Sequence, residues 1–145
     1  MKQVTPAAGV FVVMLAMAAG ACSTISRYDQ AAYEHAVNAK VDALVLMQKA
    51  TASYDEHQME IESLLTELDK AYEYDRGRLL DQVTIAQWSI LRDPDRNLFG
   101  GFLKSWKAKG SLSSTFVAEK KAQIADAFDQ IIQLESGKIK ASQVK

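Results

Sequence analysis

Between Gly20 and Gly77 the chain contains neither glycine nor proline, the two residues that most readily interrupt a helix. From Asp29 onward this stretch is built largely of alanine, leucine, glutamate, lysine, glutamine and methionine, all good helix formers. A seven-residue period runs through it as Tyr33, Val37, Lys40, Leu44, Met47, Thr51, Tyr54, Gln58, Ile61, Leu65, Leu68 and Tyr72, nine apolar positions and three polar ones. Such a stripe belongs to a helix, and the strict alternation of a half-buried strand occurs nowhere in the chain. Asp29 to Tyr74 is read as one continuous helix of 46 residues, about 69 Å at 1.5 Å per residue. The alternative is a hairpin near Ser53, where Ser53-Tyr54-Asp55-Glu56 matches a capping box but no turn-forming glycine, proline or asparagine stands.

Shorter helices are expected behind it. Leu79, Leu80, Val83, Ala86, Ile90 and Leu91 recur at spacings of three and four, and Pro94 ends that helix near Asp93 because it disfavours a helical residue before it. Asn97 is placed to cap a third helix bearing Leu98, Phe99, Phe102, Leu103 and Trp106; Gly100-Gly101 weakens it by roughly 1 kcal/mol per glycine, and Gly110 stops it. Ser113 or Ser114 caps a last helix whose inward face is Phe116 or Val117, Ala118, Ile124, Phe128, Ile131 and Leu134, with Gly137 as its terminator. The expected fold is all-α, one long N-terminal helix packed against two or three shorter helices as an antiparallel bundle. Small residues at Ala32, Ala36, Ala39, Ala43 and Ala50, and at Ala118, Ala122 and Ala125, permit approach of the first and last helices to about 8 Å. This packing lays the second helix on Ile61 to Leu68 and runs the last antiparallel to the first, with Ile124 and Phe128 against Val37 to Leu44.

The first 21 residues carry a different message. Lys2 precedes an apolar run from Val10 to Ala19, and small residues Ala19-Gly20-Ala21 stand directly before Cys22, the order of a secretory signal. The run is too short for the roughly 20 residues a membrane-spanning helix needs. Cys22 is the only cysteine and would be the first residue after cleavage, where a thiol can take a diacylglyceryl group. Ala19-Gly20-Ala21-Cys22 resembles the lipobox of bacterial lipoproteins, departing from it in having Ala19 where leucine is usual. The resemblance implies a lipid anchor on Cys22 and, through Ser23 in place of an aspartate, sorting to the outer membrane with the mature chain on its periplasmic face. The expected organisation is a signal peptide over 1–21, a short lipidated linker over 22–28, a helical ectodomain over 29–137 and a polar basic tail over 138–145.

Removing 1–21 from the 145 residues leaves 124, enough for one domain that buries about 65% of its unfolded surface. A lone cysteine excludes an internal disulfide, so packing must hold the fold. With Lys2 gone, 16 basic residues face 18 acidic ones, and so near-neutral a balance makes no electrostatic case for nucleic acid.

No constellation of catalytic chemistry stands out. There is no G-x-S-x-G elbow, no phosphate-cradling glycine loop and no cysteine paired with histidine. Asp55, Glu56, His57 and Glu60 come nearest to a metal cluster, but the second histidine, His35, lies 22 residues away, about 33 Å along a helix. No metal and no cofactor are expected, and no small-molecule substrate is inferred. Asp93 and Asp95 around Pro94 have the residue types of a glycosidase acid and base, the basis of an alternative as a lipid-anchored hydrolase, although such residues more often make a turn. Trp88 reads as core. Phe99, Phe102 and Trp106, interleaved with Lys104, Lys107 and Lys109, are the candidate partner-docking residues, the competing reading being that they lay an apolar helix face on the bundle.

The lipidated Cys22-Ser23, the long heptad helix and the terminal Lys145 also resemble the major murein lipoprotein of enteric bacteria, which implies wall attachment through Lys145. The likeness covers only the two ends, since the intervening chain has two tryptophans, a Pro94 break and further helices. The expected function is a non-enzymatic, membrane-anchored envelope lipoprotein that docks or scaffolds a protein partner, with wall tethering as a second alternative.

Overall fold

The computed structural model describes residues 28–78, 82–137, 139–140 and 143–144. The signal segment, Cys22 and Ser23, and the tail lysines Lys138 and Lys145 lie outside them. Among the described residues five α-helices form: α1 Gln30–Gln48, α2 Gln58–Arg76, α3 Gln82–Arg92, α4 Phe99–Lys109 and α5 Ser114–Glu135. No strand occurs among the described residues, and the fold is the all-α bundle that the periodicity predicts. No helix among them is long and apolar enough to cross a membrane.

The single helix expected over Asp29 to Tyr74 is instead two. After Gln48 the chain tightens into a 3-10 turn over Lys49–Thr51, extends through Ala52 and Ser53, and re-enters a 3-10 turn over Tyr54–His57 before α2. Ser53 makes no side-chain cap. The backbone groups freed by the break are satisfied from far along the chain: Tyr54 N donates to Gly110 O at 2.8 Å, Leu112 N to Ala50 O at 2.8 Å, and Trp106 Nε1 to Ala52 O at 3.0 Å. Tertiary bonds thus stand where local turn chemistry is missing.

Folded back, α2 runs antiparallel to α1, and the Tyr74 hydroxyl reaches the carboxylate of Asp29, the α1 N-cap. α3 turns again, with Trp88 beside Asp75 and the Arg92 guanidinium 4.7 Å from the Tyr72 ring centroid. It therefore covers the half of α2 nearer Asp29, where the sequence placed it on Ile61 to Leu68. α5 runs antiparallel to α1, as expected, from Leu112 beside Ala50 through the Lys40–Asp129 ion pair at 2.6 Å. α4 fills the far end, where Trp106 packs edge-on against Tyr54 with ring centroids 5.5 Å apart.

The core face of α1 is the alanine strip itself. Ala32, Ala36, Ala39, Ala43 and Ala50 are buried with Leu46 and Met47, while Lys40 and Val37 sit at the margin and Thr51 is exposed. Small side chains let α2 and α5 both come close, and bulk is supplied across the seam by Ile61, Leu64, Leu68, Ile124, Phe128 and Ile131. On α5 the expected alanine strip is not inward: Ala118 and Ala122 are exposed, and Val117, Ile124, Phe128, Ile131 and Leu134 face the core.

Local chemistry sets the starts of α1 and α5 and the ends of α4 and α5. The Asp29 side chain accepts from Ala32 N at 3.0 Å and Ser113 from Phe116 N at 3.3 Å, each meeting an orphan donor of a first turn. Gly110 (φ 76°) and Gly137 (φ 69°) take left-handed backbone after α4 and α5. α4 differs, since its N-cap is Leu98 without a side-chain bond, and Asn97 instead accepts from Lys120 Nζ at 2.6 Å. Gly100 and Gly101 are there for clearance: a Cβ on Gly100 would press on the carbonyls of Arg92 and Asp93, and one on Gly101 on the carbonyl of Arg96.

Candidate functional site

The docking residues suggested by the sequence are not on the surface. Phe99, Phe102 and Trp106 are buried, and Phe102 stacks on Phe116 with ring planes 10° apart. Their spacing of three and four serves the core, so they present no face to a partner. Lys104 leaves them to pair with Asp95 at 2.7 Å, and Lys107 and Lys109 lie over the rings of Tyr54 and Phe116. Trp88 is core, as expected.

Asp93 and Asp95 make a turn. Asp95 N donates to Asp93 Oδ1 at 2.8 Å, and the ammonium of Lys104 holds the Asp95 carboxyl below the usual carboxylate range. His57 packs its ring 5.7 Å from Trp106, whereas His35 lies against Tyr74 near the start of α1, so the two histidines are at opposite ends of the hairpin. Among the described residues no three His, Cys, Asp or Glu side chains converge to hold a metal ion.

What the sequence did not single out is a groove along the outer seam of α1 and α2. Its walls are Asp42, Val45 and Leu46 from α1 and Met59, Glu60, Ser63, Leu64 and Glu67 from α2, around a volume of about 410 Å³. It continues toward Asp29 past Val41, Asn38 and His35. Met59 is 85% exposed, Val41 54% and Val45 50%, an unusual cost for large apolar side chains when alanines fill the core on the same helix. Carboxylates rim the strip. Glu60 accepts from Lys49 at 2.5 Å, which holds its carboxyl below the ordinary range, and Glu67 accepts from Lys70 at 2.6 Å. The signal was present in the sequence as Val41 and Val45, which fall off the seven-residue stripe yet match its apolar members.

A second polar feature closes the opposite, Asp29 end of the bundle. Asp75 and Glu135 are buried, and Arg78 joins them at 3.1 Å from Asp75 Oδ1 and 2.5 Å from Glu135 Oε2. Trp88 Nε1 donates to Asp75 Oδ2 at 2.6 Å, and Arg78 Nε stands 3.9 Å from Asp29 Oδ2. Burial pushes the Asp75 carboxyl above the usual carboxylate range, against the opposing pull of its bonds from Trp88 and Arg78. Asp29 lies below that range, held by the backbone N–H of Ala32. These groups answer one another across α1, α2, α3 and α5, which makes the cluster a clasp between the helices. Its spacing was legible only in hindsight: Leu68, Ala71 and Asp75 continue the inward face of α2 onto a carboxylate.

A scan of protein-family models, a search of curated proteins and a search of solved structures each gave no match.

Proposed function

We propose that the chain is an exported bacterial lipoprotein, cleaved before Cys22, acylated there and held on the periplasmic face of the outer membrane, whose helical bundle docks a protein partner and catalyses no reaction. The observation that carries the docking reading is the α1–α2 groove, where Val45 and Met59, with Val41 in its continuation toward Asp29, stay in water beside a core lined by alanine. The anchoring reading rests on the apolar run followed by Ala19-Gly20-Ala21-Cys22. The six residues 23–28 can span at most about 20 Å, so an anchor on Cys22 would keep the Asp29 end near the membrane and turn the α4 end away from it.

Labelled palmitate tests the anchor. Cells making the wild-type chain incorporate label and yield a shortened product in the outer-membrane fraction, whereas Cys22→Ser gives an unlabelled precursor; equal label in the two would overturn the assignment.

A further inference from the structure

The charge on the molecule is divided between its halves. Residues 29–76, the α1–α2 hairpin, carry eleven acidic and four basic side chains, whereas residues 77–145 carry seven acidic and eleven basic ones. The near-neutral total thus hides a hairpin of net −7 beside a following segment, 77–145, of net +4. The apolar groove lies wholly in the acidic half, with Asp42, Glu60 and Glu67 along its edges. Asp42 has no ion-pair or hydrogen-bond partner among the described residues, and the Glu60–Lys49 and Glu67–Lys70 pairs are exposed enough that an incoming cation can share their carboxylates.

From this juxtaposition, and resting on the docking reading above, we propose that the α1–α2 groove receives a cationic amphipathic helix of the partner protein, apolar side chains on Val41, Val45 and Met59 and lysine or arginine against the carboxylate rim. The dimensions suit that occupant. Val41 and Val45 are one helical turn apart, and Glu60 and Glu67 are separated by about 10 Å along α2, so residues at spacings of three, four and seven on a bound helix meet both the apolar strip and the rim. Met59, unbranched and polarizable, can adapt to whichever apolar side chains arrive.

Two other occupants fit poorly. A second copy placed groove to groove would bring two acidic rims together, which like-charge repulsion opposes. A second copy offering α4 would bring lysines whose apolar neighbours Phe99, Phe102 and Trp106 are already buried, leaving the apolar strip uncovered. An anionic membrane surface is repelled by the same rim.

The test uses the mature lipidated protein in a non-ionic detergent and two synthetic helices with the same leucine face, one flanked by lysine and one by glutamate, each carrying a benzophenone on that face. The lysine helix should cross-link to Met59 and the Val41–Val45 segment, at least tenfold more efficiently than the glutamate helix and less so as salt rises. Met59→Lys, at an exposed position where folding is not at stake, should lower capture about tenfold, and Asp42→Lys should lower it without touching the apolar strip. Equal capture of both helices, or cross-links outside the groove, would overturn the proposal. Capture of an envelope protein is measured in parallel with wild type and Met59→Lys. Envelope capture that needs Met59 while neither helix binds would show the occupant to be wrong and leave docking standing. Loss of groove dependence in both assays would remove both readings. Sedimentation of the mature protein that shows self-association abolished by Met59→Lys would identify a second copy as the occupant and so overturn the proposal.

Discussion

Replacing Gly100 by alanine sets two physical effects against each other. Helix propensity alone favours the change by about 1 kcal/mol, because glycine is the worse helix former. Clearance opposes it. The new Cβ would stand 2.6 Å from the carbonyl carbon of Asp93 and closer still to the oxygen of Arg92, both backbone, whereas ordinary contact begins at 3.4 Å. α4 must therefore retreat by roughly 1 Å, and a gap of that size forfeits a quarter to a half of each dispersion contact it opens. Phe99, Phe102 and Trp106 all pack through α4, so overpacking should cost about 3 kcal/mol, the upper part of its usual range. The net expectation is a loss of about 2 kcal/mol, or roughly 8 °C in melting temperature for a domain of this size. Urea and thermal unfolding followed by circular dichroism read it directly. Gly77→Ala is the control, since its Cβ would meet only the carbonyl oxygens of Tyr74 and Glu73 at 3.4 and 3.6 Å and its φ of −76° suits any residue. That variant should gain about 0.5 kcal/mol through the unfolded chain. A Gly100→Ala protein as stable as wild type, or more so, would refute the close-approach argument.

The clasp at the Asp29 end gives two further expectations. Trp88→Phe removes the indole donor from the buried Asp75 carboxylate and leaves a void beside Phe128, so the urea midpoint should fall by an amount equivalent to about 3 kcal/mol; a change below about 0.5 kcal/mol would mean that Arg78 alone suffices. The Asp75 carboxyl lies above its unfolded value of 3.8, so the folded state binds its proton more tightly, and the stability this supplies is fully present below that value and lost as pH rises through the higher folded one. Wild type should therefore gain stability relative to Asp75→Asn as pH falls from neutral toward 4, and a pH-independent difference would show that burial does not govern this group.

The helical class, the stops at Pro94, Gly110 and Gly137 and the Ser113 cap were legible because each depends on residues within one turn of the chain. The break after Gln48 was not. Its determinants are Gly110, Leu112 and Trp106, more than fifty residues downstream, and no local window around Ser53 contains them. The stripe misled for a related reason. A seven-residue pattern extended through a break changes face, and weighting large side chains over small ones selected Val37 and Leu65 where alanines and Leu64 form the seam. Of the candidate site, the aromatic residues carried two readings, since spacing of three and four describes a core face and a docking face equally, and their burial agrees with the core one. The groove needs two helices side by side, a relation that only the fold supplies.

The clasp also decides how the bundle bears load. A pull on the first turn of α1 reaches Asp29, and from there Tyr74 and Arg78, and through Arg78 it is shared with Asp75 on α2 and Glu135 on α5. The force thus enters three helices at once. Had α1 been joined to its neighbours only by its alanine seam, it could be peeled away contact by contact, each small side chain yielding in turn. With Asp29 also tied at its root to Tyr74 and facing Arg78, separation of α1 must break those contacts as well as the seam, and the pull is resisted by α2 and, through Arg78, by α5.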